Sequence, residues 1–171
     1  MKKDERYTKI VAIVLVIALI GIVFYFYLPD LLVLPSLSTT GLVRLNIEVD
    51  ATGTDGVVIM TGGCYKVVAT VERGQAISIL DGMNDVVGVR PNVHDLFRDT
   101  LNALDAKMLM IKITDVKEDV YISKMIVRKG NTLLSLDARP SDAIAIAVRT
   151  NYHVPVYMNQ TLLEKMGTKI C

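Results

Sequence analysis

Two cysteines and two histidines are all that this chain of 171 residues offers to a soft or borderline metal. His94 and His153 are isolated from each other and from Cys64 and Cys171, so no Cys/His spacing reads as a zinc site. Two cysteines are also too few for a disulfide framework. Outside the cytoplasm they could still pair, but Cys171 is the last residue, and Cys64 is expected to be a small buried hydrophobe. The chain has no Gly-Lys-Ser/Thr phosphate loop, no Gly-x-Gly-x-x-Gly and no Gly-x-Ser-x-Gly. Strong charge is missing too. Residues 42–171 carry 15 basic and 15 acidic side chains, with a basic excess confined to 107–171. That balance lacks the electrostatic footprint of a non-specific nucleic-acid binder and leaves room only for a local patch.

Apolar residues, by contrast, are in excess and localised. Ile10 to Leu28 holds no charge, and nineteen helical residues span about 28 Å, close to the hydrocarbon thickness of a bilayer. Phe24 to Tyr27 would form an interfacial aromatic belt, and Pro29-Asp30 ends the run. The sequence therefore predicts a basic tail over 1–9, a transmembrane helix over 10–28, a linker over 29–41 and a folded domain over 42–171. Lys2, Lys3, Arg6 and Lys9 precede the span, which places the N-terminus in the cytoplasm and the domain outside the cell membrane. A cleaved signal peptide is the rival reading. Its apolar core would be unusually long, and only Ser36-Leu37-Ser38 resembles a cleavage site.

Within the domain, Leu42–Asp50 alternates strictly between apolar and polar residues, as a half-buried strand does. Strands follow over 57–60 and 64–70, then helices over 72–83, with Ala76, Ile77, Ile79 and Leu80 as its apolar side, and over 93–104, with Asn92 as N-cap. A second set of strands occupies 107–114, 120–128 and 132–137. An apolar helix begins at Pro140, and its run Ala143 to Val148 has no polar face, so it should be central. A short strand over 154–158 and a helix over 160–166 complete the domain. The expected class is α+β, a single compact domain of two antiparallel β-meanders with packed helices behind one transmembrane helix.

Two polar constellations stand out. Asp137, Arg139, Ser141 and Asp142 crowd the mouth of the apolar helix. Two carboxylates around a tight turn could hold a divalent cation or act in acid–base chemistry, while Arg139 and Ser141 could bind a phosphate. The same residues could equally be helix caps and a structural ion pair. His94-Asp95 could supply a proton carrier or be no more than a polar first turn.

Leu136 to Arg149 closely resembles the signature of the bifunctional nuclease (BFN) domain family, and so does Arg90-Pro91-Asn92-Val93-His94-Asp95-Leu96. The resemblance runs from about Val57 to Gly167. It implies a compact α+β domain forming homodimers or larger oligomers, with phosphodiester hydrolysis on DNA and RNA. By position, Asp137, Arg139, Ser141, Asp142, His94 and Asp95 fall in the two motifs. The resemblance assigns no catalytic residues; in the leading hypothesis Asp137 and Asp142, with Asp95 as a third, would hold Mg²⁺ or Mn²⁺. His94 would move protons and Arg139 would hold the phosphate. The alternative is a non-catalytic homo-oligomerisation or protein-interaction domain. One departure favours it: Arg73 stands where the family shows an acid, with Glu72 one place early.

Overall fold

A central β-sheet is built by three consecutive antiparallel strands from each half of the domain and joined in the middle by a seventh. The computed structural model describes residues 11–23, 36–86 and 88–171. Strands β1 (Leu42–Asp50), β2 (Gly56–Gly62) and β3 (Tyr65–Val71) form the first meander. Strands β4 (Ala106–Lys117), β5 (Val120–Lys129) and β6 (Thr132–Ala138) form the second. Strand β7 (Val156–Asn159) lies between β4, to which it runs parallel, and β1, to which it runs antiparallel. A two-residue strand, β8 (Thr168–Lys169), adds to β3, giving the order β6-β5-β4-β7-β1-β2-β3-β8. The two expected meanders are thus one mixed eight-stranded sheet. Four residues of β7 do the joining, because each of their two edges finds a partner.

The helices of the domain are α2 (Arg73–Met83), α3 (Val93–Ala103), α4 (Pro140–Ala147) and α5 (Gln160–Met166). Helix α4 carries the chain from the edge strand β6 back to β7, packing on β4 and β5 while α2 and α3 pack on it. Water is excluded all round: Ala143, Ile144 and Ala145 are at most 1% exposed. An apolar helix without a polar face is stable in that position because every face meets other apolar groups. The alanines also let the neighbouring elements approach. Truncating Ile144 to Ala here would cost about 2–5 kcal/mol. Close approach recurs at Gly56, where an added Cβ would overlap the Cβ of Ala76 in α2.

Two expectations are corrected by the structure. Cys64 is exposed, not buried, and is disulfide-bonded to Cys171 with Cα atoms 5.3 Å apart. The C-terminus is held there by β8 and by the Ile170 N–H donating to the Cys64 carbonyl at 2.9 Å. A bridge across 107 residues has no local sequence signal. On α2, Ile77 was expected on the buried side and is 39% exposed, while Ala76 and Ile79 are the buried pair.

Residues 11–23 form a separate helix, α1, with every residue exposed. Thr39–Cys171 is a compact unit by itself. No helix among the described residues is long and apolar enough to cross a membrane. The predicted span 10–28 lies partly outside the described residues, at 10 and 24–28, as do the basic tail and the linker up to 35.

Candidate active site

The site is assembled where α2, α3 and the start of α4 converge. Arg139 is the N-cap residue of α4, in extended geometry, and its side chain makes no capping bond. It folds over the first turn instead. Its Nε donates to Asp142 Oδ2 at 2.7 Å and its Nη2 to Asp142 Oδ1 at 3.3 Å. This pair, with Glu72 contributing at longer range, raises the pKa of the Arg139 guanidinium further. In the amide orientation that satisfies both of its ends, Gln75 of α2 donates to Ser141 Oγ at 2.9 Å. Its oxygen then accepts from Arg139 Nη2 at 2.9 Å.

Helix α3 brings His94. Asn92 caps the helix by accepting from the His94 and Asp95 N–H groups, and Asp95 Oδ2 accepts the Asn92 N–H in return. This reciprocal cap fixes the first turn and aims the His94 ring inward, where it is 12% exposed. Its Nδ1 lies 2.9 Å from Ser78 Oγ of α2, and its Nε2 lies 3.4 Å from Asp142 Oδ1.

Arg149, just past the end of α4, closes the network. Its Nε donates to Asp95 Oδ1 at 2.8 Å, its Nη1 to the Ala145 carbonyl at 2.6 Å, and its Nη2 to Ser78 Oγ at 3.2 Å. Only 4% of this side chain is exposed. It fits because residue 82 of α2 is glycine: a Cβ there would sit 2.8 Å from Arg149 Nη1 and 2.6 Å from Val148 Cγ2. Burial opposes ionisation of Asp95, but the Asn92 N–H, Arg149 and Arg98 outweigh it and lower its pKa. Ser78 Oγ thus meets Arg149 Nη2 on one side and His94 Nδ1 on the other, while His94 Nε2 faces Asp142.

Five of the six residues singled out in the sequence therefore meet here: His94, Asp95, Arg139, Ser141 and Asp142. Asp137 does not join them. It lies on β6 opposite Lys124 of β5, and no hydrogen bond or ion pair ties it to the network. A divalent cation takes carboxylate oxygens that are free to face it, one or two for Mg²⁺ and more for a full protein cage. Both Asp142 oxygens face Arg139 and His94, and both Asp95 oxygens face the Asn92 N–H and Arg149. No group of three or more His, Cys, Asp or Glu among the described residues could hold a metal ion. The donor set fits neither the Asp137–Asp142 pair nor a larger cage.

Gln75, Ser78 and Arg149 were not identified as site residues. Their signal was present but weak: Gln75, Ser78 and Gly82 recur at spacings of three and four along α2, a polar and small stripe. Beside Arg139 and Ser141 opens a cavity of about 210 Å³, lined also by Gln75, Thr70, Tyr121 and Met60. A larger groove of about 450 Å³ lies by Met83, Tyr152 and His153, and Arg139, Ser141 and Asp142 are not among its lining residues.

The family's sequence profile, described as the bifunctional nuclease domain, matches residues 57–170. The chain belongs to the bifunctional nuclease domain family. Arg90–Leu96 and Leu136–Arg149 both lie within the matched residues and flank one polar network. The family profile spans every strand from β3 onward and all four domain helices. Among individual proteins, an uncharacterized protein of Mycobacterium tuberculosis is 31% identical over 100 residues, 58% of this chain and 58% of its own length. Bifunctional nuclease 1 of Oryza sativa subsp. japonica is 29% identical over 98 residues, 56% of this chain and 29% of that protein. Bifunctional nuclease 2 of Arabidopsis thaliana is 26% identical over the same length. The matched region is thus about half the length of the mycobacterial relative and under a third of the plant ones. Arg73, which stands where a bifunctional nuclease domain was expected to carry an acid, donates from Nε to the Ala51 carbonyl at 3.2 Å. Glu72, one place earlier, contributes to the electrostatics of Arg139 at longer range.

Proposed function

We propose that this domain is a nuclease that hydrolyses phosphodiester bonds in DNA and RNA, with His94 as its acid–base group. The observation that carries the proposal is a histidine with a partner on each ring nitrogen, set beside an exposed arginine. Arg139 is 61% exposed on its side chain although two of its donors hold Asp142. With Asp142 and Gln75 served, one Nη1 N–H of Arg139 is left, and it is the donor that a phosphate would meet. Asp142 Oδ1 lies 3.4 Å from His94 Nε2, a separation loose enough to tighten when substrate arrives. Water forms its bond to phosphorus as the P–O bond opposite it breaks; the protonated ring gives its Nε2 proton to the leaving oxygen, and the proton of the water passes to solvent. Solvent then reprotonates the ring, while Ser78, itself held by Arg149, keeps the other nitrogen in place. The names of the plant relatives support the substrate class. A divalent cation, expected from the family resemblance, has no matching donor set here, and no step is routed through one.

The test uses the full chain purified in detergent with end-labelled single-stranded DNA and RNA, in Mg²⁺ and in EDTA. Cleavage should fall about 10²–10⁴-fold in His94→Gln. It should fall also in Asp142→Asn. Equal activity in the wild type and both variants would refute the assignment.

The same proposal places the domain outside the cell membrane on a single span over 10–28, with the bilayer as its first partner. The all-round exposure of apolar α1 supports the span, and a disulfide, which persists in oxidising compartments, supports the outer placement. A cysteine introduced as Thr40→Cys should react with an impermeant maleimide in intact cells; reaction only after lysis would reverse the topology. A homodimer or higher homo-oligomer is the second partner proposed. Val93 and Leu96, 70% and 62% exposed on α3, support it, and light scattering of the purified chain decides it.

A further inference from the structure

Resting on the nuclease reading, we infer that the cavity beside Arg139 is a nucleobase pocket, taking one unpaired base of the strand whose phosphate Arg139 holds. The cavity, about 210 Å³, is bounded by β2 and β3 with Gln75 of α2, by the turn into β5 and by the mouth of α4. Strands β2 and β3 supply Val58, Met60, Ala69, Thr70 and Val71. The start of β5 supplies Val120 and Tyr121, and the mouth of α4 supplies Arg139, Pro140, Ser141 and Ile144.

The chemistry of the lining is divided as a base requires. Val58, Met60 and Ile144 are at most 3% exposed, so the floor is fixed and apolar, suited to the flat faces of a ring. The rim carries Gln75, with one amide N–H left beyond its bonds to Ser141 and Arg139, and the acidic Asp119, a donor and an acceptor for a ring edge. Tyr121 adds an aromatic ring to the wall, and burial raises its pKa, which keeps the phenol protonated and able to donate. The volume is below the roughly 300–1,000 Å³ of pockets for drug-sized ligands, so one small ring system fills it.

Arg139 and Ser141 belong both to the polar network and to this lining. A phosphate on Arg139 therefore leaves its attached nucleoside at the cavity mouth. A base paired in a duplex does not reach such a pocket without leaving the stack. The pocket accordingly selects single strands, loops and ends. It also reconciles nucleic acid as substrate with a domain of no net charge, because stacking and edge contacts replace part of the electrostatic attraction.

The pocket is tested by equilibrium titration of the full chain in detergent with uridine and adenosine 5′-monophosphates against ribose 5-phosphate, which has the phosphate without the base. The nucleotides should bind roughly 5- to 150-fold more tightly, the span that base–aromatic stacking covers. Tyr121→Ala should erase that advantage. So should Val120→Trp, which fills the cavity from a position already 58% exposed and so spares the fold. Equal affinity for nucleotides and ribose 5-phosphate, no binding of either, or an advantage retained in both variants would overturn the pocket. The readout involves no turnover. Base-dependent binding in a chain that fails to cleave would sink hydrolysis alone, and cleavage with base-independent binding would sink the pocket alone.

Discussion

Arg149→Met removes one guanidinium that holds three elements together, and the structure sets the size of the effect. The side chain is 4% exposed and bonds to Asp95 of α3, the Ala145 carbonyl of α4 and Ser78 of α2. Methionine fills much of the volume but bonds to none of them. Breaking a buried ion pair from one side costs about 3–5 kcal/mol, because the other charge is left behind. Asp95 is 18% exposed and keeps the Asn92 N–H, with Arg98 3.9 Å away, so the lower end applies. A loss of about 3 kcal/mol corresponds to a fall of roughly 10–15 °C in Tm for a domain of this size. Urea unfolding of the wild type, Arg149→Met, Asp95→Asn and the double variant gives the coupling directly. The pH dependence follows from the lowered pKa of Asp95. Its unfolded value is near 3.9, so its contribution is fully present above about pH 4 and is lost as pH falls through the folded value. The gap between wild type and Arg149→Met should therefore narrow on acidification below pH 4. A loss under 1 kcal/mol, or a gap unchanged at pH 3, would refute the view that this pair binds α3 to α4.

Asp137→Asn should leave cleavage within about twofold of wild type while Asp142→Asn does not, because Asp137 stands across the sheet from Lys124 and outside the network; parallel rate measurements decide it. Gly82→Ala should cost about 1–3 kcal/mol, since its methyl would press on Val148 and Arg149, and calorimetry reads the shift. Reducing the Cys64–Cys171 bridge should cost up to about 4.7 kcal/mol on the chain-entropy estimate for a loop of this length, measured as unfolding with and without reductant. Glu118 and Asp119, the two-residue turn between β4 and β5, both have positive φ. Replacing them with Asn-Gly should stabilise the hairpin by about 1 kcal/mol in thermal unfolding.

The sequence by itself determined what depends on near neighbours along the chain. Strict alternation over 42–50 made β1, the unbroken apolar run after Pro140 made a central α4, and Asn92 with Asp95 made the cap of α3. These are local matters, because a strand or helix period and a cap are set by side chains two to four residues apart. The motifs around His94 and Asp142 were equally legible as polar groups at helix starts. Only the tertiary structure decided which of them meet. Asp137 and Asp142 are five residues apart and part company, because a strand end and a helix turn point them differently. His94 and Asp142 are 48 residues apart and face each other at 3.4 Å. Ser78 and Arg149, 71 apart, share a hydrogen bond, since packing α2 on α4 at Gly82 leaves space for only that side chain. The union of two meanders by β7, the bridge from Cys64 to Cys171 and the cavity walled by β2, β3 and β5 have the same origin. Each needs contacts between distant segments, which form only when the whole apolar core closes around α4.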